Sequence, residues 1–247
     1  MHTTPDPERR RKRRHLADTL SLINLLCGMA ACVFAATGQI AVCLLLLGIG
    51  AACDGLDGAC ARRFGGTRLG VLADDVADGV NYGLAPSVAL AAFAVPHVGL
   101  VFGILLGLTL FAFTVSRLVF FTLRHGQDDA AVFRGVPSTF GAVVVYGALL
   151  AFSAQPLLVG FAVGVMCVLM VSFDTKYPHL GRALTTSSAV RRYCVYVAVG
   201  LAIAAGQGLS WLGLALLVVA FAFGLAPPFL QLLEAQAAFR HRRRQRR

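Results

Sequence analysis

Charge is scarce in this chain. Only 14% of its 247 residues are Asp, Glu, Lys or Arg, 57% are hydrophobic, and the mean hydropathy is +0.74. That balance excludes a soluble globular domain and points to an integral membrane protein. Cys-x-x-Cys spacing is also missing. The seven cysteines (27, 32, 43, 53, 60, 167 and 194) all fall in apolar stretches, as reduced small core residues rather than disulfides or zinc ligands. No internal repeat is found, which argues against an inverted-repeat transporter. The first 18 residues hold no apolar h-region followed by a cleavage site, so a cleaved signal peptide is not expected. Finally, Lys and Arg are missing from one whole set of loops, and this absence orients the chain.

A membrane span needs about 20 largely apolar residues. Eight stretches qualify once interfacial residues are included: 20–37, 39–61, 70–94, 98–123, 138–153, 156–173, 191–206 and 209–233. Gly38, Pro96, Pro156 and Gly208 break the chain between them. If the spans alternate, the loops near 37, 96, 155 and 207 share one side and contain none of the 22 Lys and Arg. The basic residues and all 12 acids lie toward the other side, so the net charge of +10 belongs to one membrane surface. The positive-inside rule makes that surface cytoplasmic, with both termini on it, which an even number of spans satisfies. The basic run at 9–14 directly precedes a span. It reads as a topology determinant that holds anionic headgroups, not as a nucleic-acid site, and the Arg-rich tail reads the same way.

Within this apolar frame, Asp54, Asp57, Asp74 and Asp78 stand at the ends of two consecutive spans. A carboxylate at bilayer depth costs about 2.5–3.5 kcal/mol on insertion scales. Five acids between 54 and 78, Asp75 included, face only Arg62, Arg63 and Arg68, which leaves negative charge uncompensated. Hard divalent cations take oxygen ligands and cancel such repulsion. Asp54 and Asp57 are three apart, Asp74 and Asp78 four apart, so each pair shares a helix face. The short loop between them makes the helices antiparallel neighbours whose pairs can face each other. Two such pairs can bridge two metal ions about 3.5–4 Å apart, the arrangement of phosphoryl chemistry. Gly55, Gly58, Ala59 and Ala61 clear the helix surface for a bulky ligand. Gly65, Gly66 and Gly70 permit a close turn where helix amides can meet phosphate, and Arg62 offers a forked donor for a diphosphate. Asp75 lies about 100° around the helix from Asp74, as a partner for Arg68 or a structural residue.

These residues resemble the signature of the CDP-alcohol phosphotransferase family, D-x-x-D-G-x-x-A-R, about eight residues, then G-x-x-x-D-x-x-x-D. Asp54, Asp57, Gly58, Ala61, Arg62, Gly70, Asp74 and Asp78 fill every fixed position, with seven residues instead of eight between Arg62 and Gly70. Within the family the chain is most similar to bacterial phosphatidylserine synthases. Ser21-Leu22-Ile23-Asn24-Leu25-Leu26-Cys27-Gly28 resembles their T-L-x-N-L-x-C-G, and Tyr82-Gly83-Leu84-Ala85-Pro86 their F-G-V-A-P. Arg117-Leu118, the stretch 133–138 and Leu169-Met170-Val171-Ser172 resemble their R-L-A-R-F, F-x-G-L-P-S and L-M-V-S, in the same order. The chain departs from the pattern at Ala17-Asp18, where Pro-Asn is usual, at Thr139, and after Leu118, where the second arginine is missing.

The resemblance implies an all-α transmembrane bundle of about eight spans, divided as a basic segment 1–18, a six-helix core 19–190, two added helices 191–239 and an Arg-rich tail 240–247. It implies transfer of a phosphatidyl group from CDP-diacylglycerol to an alcohol, with release of CMP. Asp54, Asp57, Asp74 and Asp78 would hold two Mg²⁺ or Mn²⁺ ions, with Asp78 as general base. Gly58, Ala61, Arg62 and Gly70 would contact the CDP moiety, joined by Ser21 and Asn24. L-serine is the favoured acceptor, its carboxylate meeting Arg117, Arg134 or Lys176. Glycerol phosphate, inositol phosphate and choline stay open as acceptors, as does a cation transporter or a lipid-binding scaffold as a different class. The expected setting is a bacterial-type inner membrane with a cytoplasmic active site, and the resemblance admits a homodimer.

Overall fold

The computed structural model describes residues 7–64, 67–124, 132–178 and 187–245. The chain divides into two compact units, Met1–Leu118 and Val119–Arg247.

In the first unit α1 (Pro7–Ala36) is already helical through the basic segment and runs unbroken into the first span. Gly38, at φ +74°, turns the chain sharply into α2 (Ile40–Phe64), and Gln39 N–H closes the turn on Phe34 O at 2.9 Å. Thr67 caps the next helix, α3 (Arg68–Asp78), by accepting the Gly70 N–H on its Oγ1 at 2.8 Å. A wider π-helical segment, Gly79–Leu84, joins α3 to α4 (Ala85–Val98), and α5 (Leu100–Leu123) follows. Pro86 has no N–H for the carbonyl four residues back, and the adjoining Ala85 N–H reaches Val80 O, five residues back. Asn81 and Tyr82, within this segment, are buried.

α1 is the centre of this unit, packing along α2, α3, the π segment and α4. The buried positions are mostly small, among them Ala31, Ala35, Cys43, Ala77, Ala85 and Ala89. Small residues let backbones approach closely where lipid supplies no hydrophobic drive between helices. Leu22, Leu26, Met29 and Val33 of α1 and Leu45 and Ile49 of α2 remain exposed, as a lipid-facing surface requires.

The second unit contains a small ribbon that the sequence reading does not foresee. β1 (Val132–Arg134) pairs antiparallel with β2 (Lys176–Pro178), setting Arg134 opposite Lys176. Three-residue strands are too short to display alternation. Among the described residues the helices that follow are α6 (Ser138–Ala151), α7 (Pro156–Met170), α8 (Ser188–Gln207) and α9 (Leu209–Gln245). α6 and α9 cross at Gly147 and Gly213, where a Cβ on Gly213 would lie 2.6 Å from Gly147 O. Phe140 stacks on Phe223 with ring centroids 4.3 Å apart. Tyr177 donates to Gly224 O at 2.8 Å, and burial pushes its phenol up to about 12, so it stays a donor.

The all-α transmembrane expectation therefore holds. Six helical stretches among the described residues are long and apolar enough to cross a membrane: Leu16–Ala36, Ile40–Ala61, Gly70–Val98, Leu100–Leu123, Ser188–Gln207 and Leu209–Gln231. The other two of the eight expected spans form α6 and α7, of 14 and 15 residues. At 1.5 Å per residue these reach about 21–23 Å, short of a core about 30 Å thick. α6 is mostly buried, Val144, Val145 and Tyr146 included, whereas α7 buries one face through Val159 and Met166 and leaves Leu157, Phe161 and Val168 exposed. All seven cysteines are free.

Candidate active site

Asp54 and Asp57 project from the last turns of α2, Asp74 and Asp78 from α3, at the spacings that share a helix face. The fold brings three of them together. Asp54, Asp57 and Asp74 each offer an oxygen within 4.8 Å of the others. Asp57 is only 5% exposed, and Asp74 Oδ1 is buried with no hydrogen-bond partner. Three carboxylates so close repel one another, and a buried acceptor without a donor costs about 1–3 kcal/mol. A hard cation removes both penalties, so this donor set suits Mg²⁺ or Mn²⁺.

Helix α1 supplies the polar partners. Ser21 Oγ donates to Asp57 Oδ2 at 2.6 Å. Asn24 Nδ2 donates to Asp78 Oδ1 at 3.3 Å and accepts on its Oδ1 from Asn81 Nδ2 at 2.7 Å. Tyr82, in the π segment, reaches Asp54 Oδ2 with its hydroxyl at 3.3 Å. Asp78 stands outside the converging three, and Arg117 of α5, 6% exposed, attracts it electrostatically. Asp75 is exposed.

Next to the triad is a cleft lined by Asp57 and Asp74 and by four of the residues expected at the nucleotide: Ser21, Gly58, Ala61 and Gly70. Ala17, Asp18, Thr67 and Val71 complete its wall, with Thr67 Oγ1 donating to Asp18 Oδ1 at 2.9 Å. A Cβ on Gly70 would strike the Asp18 carboxylate, so in this chain glycine at 70 makes room for an acid.

Arg62 lies near the end of α2, but its side chain is outside the described residues, as are Gly65, Gly66 and the side chain of Arg68 expected beside Asp75. Arg134, half-buried, and Lys176, exposed, belong to the second unit. The sequence reading misses the contacts of Asp18, Thr67 and Asn81. Thr67 carries a readable signal, a hydroxyl residue just before an apolar helical run. Asn81 carries a weak one, a polar residue three positions after Asp78, and its partner on α1 is not readable from spacing.

A family profile described as CDP-alcohol phosphatidyltransferase matches residues 14–173, which contain the triad, the cleft and Asp78. The chain belongs to that family.

Several phosphatidyltransferase relatives carry the name CDP-diacylglycerol–serine O-phosphatidyltransferase. The protein of Mycobacterium leprae is 33% identical over 163 residues, covering 63% of this chain and 53% of its own length. That of Helicobacter pylori strain J99 is 28% identical over 165 residues, covering 63% of this chain and 68% of its own. That of Mycobacterium tuberculosis strain H37Rv is 31% identical over 150 residues, covering 57% and 50%. The chain thus spans about half the length of the mycobacterial relatives it matches.

Proposed function

We propose that this protein transfers a phosphatidyl group from CDP-diacylglycerol to the hydroxyl of L-serine, giving phosphatidylserine and CMP. The convergence of Asp54, Asp57 and Asp74, inside the stretch that matches the family, carries this reading. The names of the relatives support serine as the acceptor.

Asp54, Asp57 and Asp74, with Asp78 beside them, are the residues that would hold two divalent ions. Bound there, Mg²⁺ or Mn²⁺ would neutralise the diphosphate and the departing CMP. Gly58, Ala61 and Gly70 leave room for the nucleotide, with Ser21 and Asn24 on the α1 side and the Arg62 guanidinium for its phosphates. Asp78 takes the proton from the acceptor hydroxyl. The new bond joins that oxygen to the phosphatidyl phosphorus, and the bond to CMP breaks with its electron pair leaving on CMP. General-base assistance of this kind contributes about 10²–10⁴-fold. Arg117 is the first candidate for the serine carboxylate, followed by Arg134 and Lys176.

The diacyl tails remain in lipid while the headgroup enters from the membrane edge, on what the loop charges make the cytoplasmic face of a bacterial-type inner membrane. The test uses purified protein in lipid with CDP-diacylglycerol, Mn²⁺ or Mg²⁺, and a panel of alcohols. CMP and phosphatidylserine are expected with L-serine. CMP with another alcohol alone would reassign the acceptor, and none with any alcohol would end the transferase reading.

A further inference from the structure

We infer that Asn81 is a positioning residue for the transfer, acting through Asn24 to hold the Asp78 carboxylate in place; this rests on the reading of Asp78 as the base. Asn24 and Asn81 are both 0% exposed, on α1 and the π segment. They form a relay that ends on the acid: Asn81 Nδ2 to Asn24 Oδ1 at 2.7 Å, then Asn24 Nδ2 to Asp78 Oδ1 at 3.3 Å.

Hydrogen-bond polarity gives the relay its direction. An ionised carboxylate only accepts, so Asn24 must turn its NH₂ group to Asp78 and its oxygen away. That oxygen then needs a donor, and Asn81 supplies one. Without it, the Asn24 amide can flip and present an oxygen to the carboxylate, a repulsive contact that pushes Asp78 out of register.

The surroundings are shaped around this pair. Gly50 of α2 has no side chain, and a Cβ there would land on Asn81 Nδ2 and within 2.5 Å of Asn24 Oδ1. Gly28 of α1 lies against the Asn81 backbone, where a Cβ would come within 2.8 Å. Three elements thus meet at two amides. The placement is costly, because Asn81 Oδ1 is buried with no hydrogen-bond partner. Simple packing would be served better by an apolar side chain of the same size, since leaving a buried acceptor unpaired is penalised. The donor of Asn81 is what the site needs.

The test is a double-mutant cycle on CMP release by the full chain in lipid, with Mn²⁺, CDP-diacylglycerol and L-serine. Asn81→Leu keeps the branched shape with a somewhat larger side chain and removes the donor, and Asn81→Ala removes the donor without added bulk. For Asn81→Leu, kcat is expected to fall about 10–100-fold, the usual effect of losing such an outer partner, a larger change than that in the KM for CDP-diacylglycerol, which Asn24 also faces. In the Asn24→Ala background, Asn81→Leu is expected to add nothing further. Additive losses, a rise in CDP-diacylglycerol KM with kcat unchanged, or a wild-type rate would each overturn the relay. If neither Asn81→Leu nor Asn81→Ala yields folded protein, Asn81 is a packing element and the relay is overturned as well. A wild-type protein that releases no CMP sinks the phosphatidyl-transfer reading, and this inference with it. An active wild type with a fully active Asn81→Leu sinks this inference alone.

Discussion

Ser21 Oγ lies 2.6 Å from Asp57 Oδ2 and donates to it. Helix α1 contributes no acid to the triad, yet it aims a carboxylate of α2 through this contact and holds Asp78 of the neighbouring helix through Asn24.

Ser21→Ala should therefore weaken divalent-ion binding about 10-fold, since a partner that orients a ligand is typically worth 10–100-fold. The control is Tyr82→Phe, which removes a hydroxyl that reaches Asp54 only at 3.3 Å. A long contact of this kind is weak, and its loss should cost less than the loss of Ser21. Mn²⁺ titration of each variant checks both, and a larger effect from Tyr82→Phe would reverse the ranking.

Metal removal should abolish CMP release, and Mn²⁺ should restore it. Counting bound Mn²⁺ per folded chain by spin resonance, with CDP-diacylglycerol present, tests the pair of ions. Two per chain is expected. One per chain would leave the triad as a single-ion site and remove the two-metal scheme.

Asp78→Asn should fold and still bind Mn²⁺ through Asp54, Asp57 and Asp74, the three whose oxygens converge. Turnover should drop about 10²–10⁴-fold, the range for losing a general base. Retention of wild-type rates would take the base role away from Asp78.

Gly70→Ala would push a methyl group into the Asp18 carboxylate, which accepts from the cap residue Thr67. The expected result is a higher KM for CDP-diacylglycerol, because the cleft wall and the start of α3 shift together. Adding Asp18→Ala to this variant should recover part of the loss by clearing the collision. If the double variant is worse than Gly70→Ala alone, the carboxylate is not what the glycine accommodates.

Arg117→Ala should raise the KM for the acceptor more than that for CDP-diacylglycerol. Arg117→Lys should retain more turnover, because it keeps a positive charge facing Asp78. The opposite pattern of KM changes would move Arg117 to the nucleotide side.

Much of this site is legible in the chain because local spacing sets it. The i, i+3 and i, i+4 acids, and the small residues Gly58, Ala61 and Gly70, share faces wherever those segments are helical. Asn81 is different. It follows Asp78 by three positions as one more polar residue, and its pairing with Asn24 of α1 is a contact between elements that no spacing along the chain displays. The ribbon that sets Arg134 opposite Lys176 is equally silent, since pairing between positions so far apart leaves no periodic trace.

Apolar run length, loop charge and the rhythm of the aspartates were enough to establish a membrane protein with acids on two successive helices, since each depends on composition or on the helical repeat alone. Which three acids converge, which one stands apart beside Arg117, and which α1 side chains address them were decided by packing. Close helix approach at Gly28 and Gly50 comes from three-dimensional contact, and no spacing rule along the chain contains it.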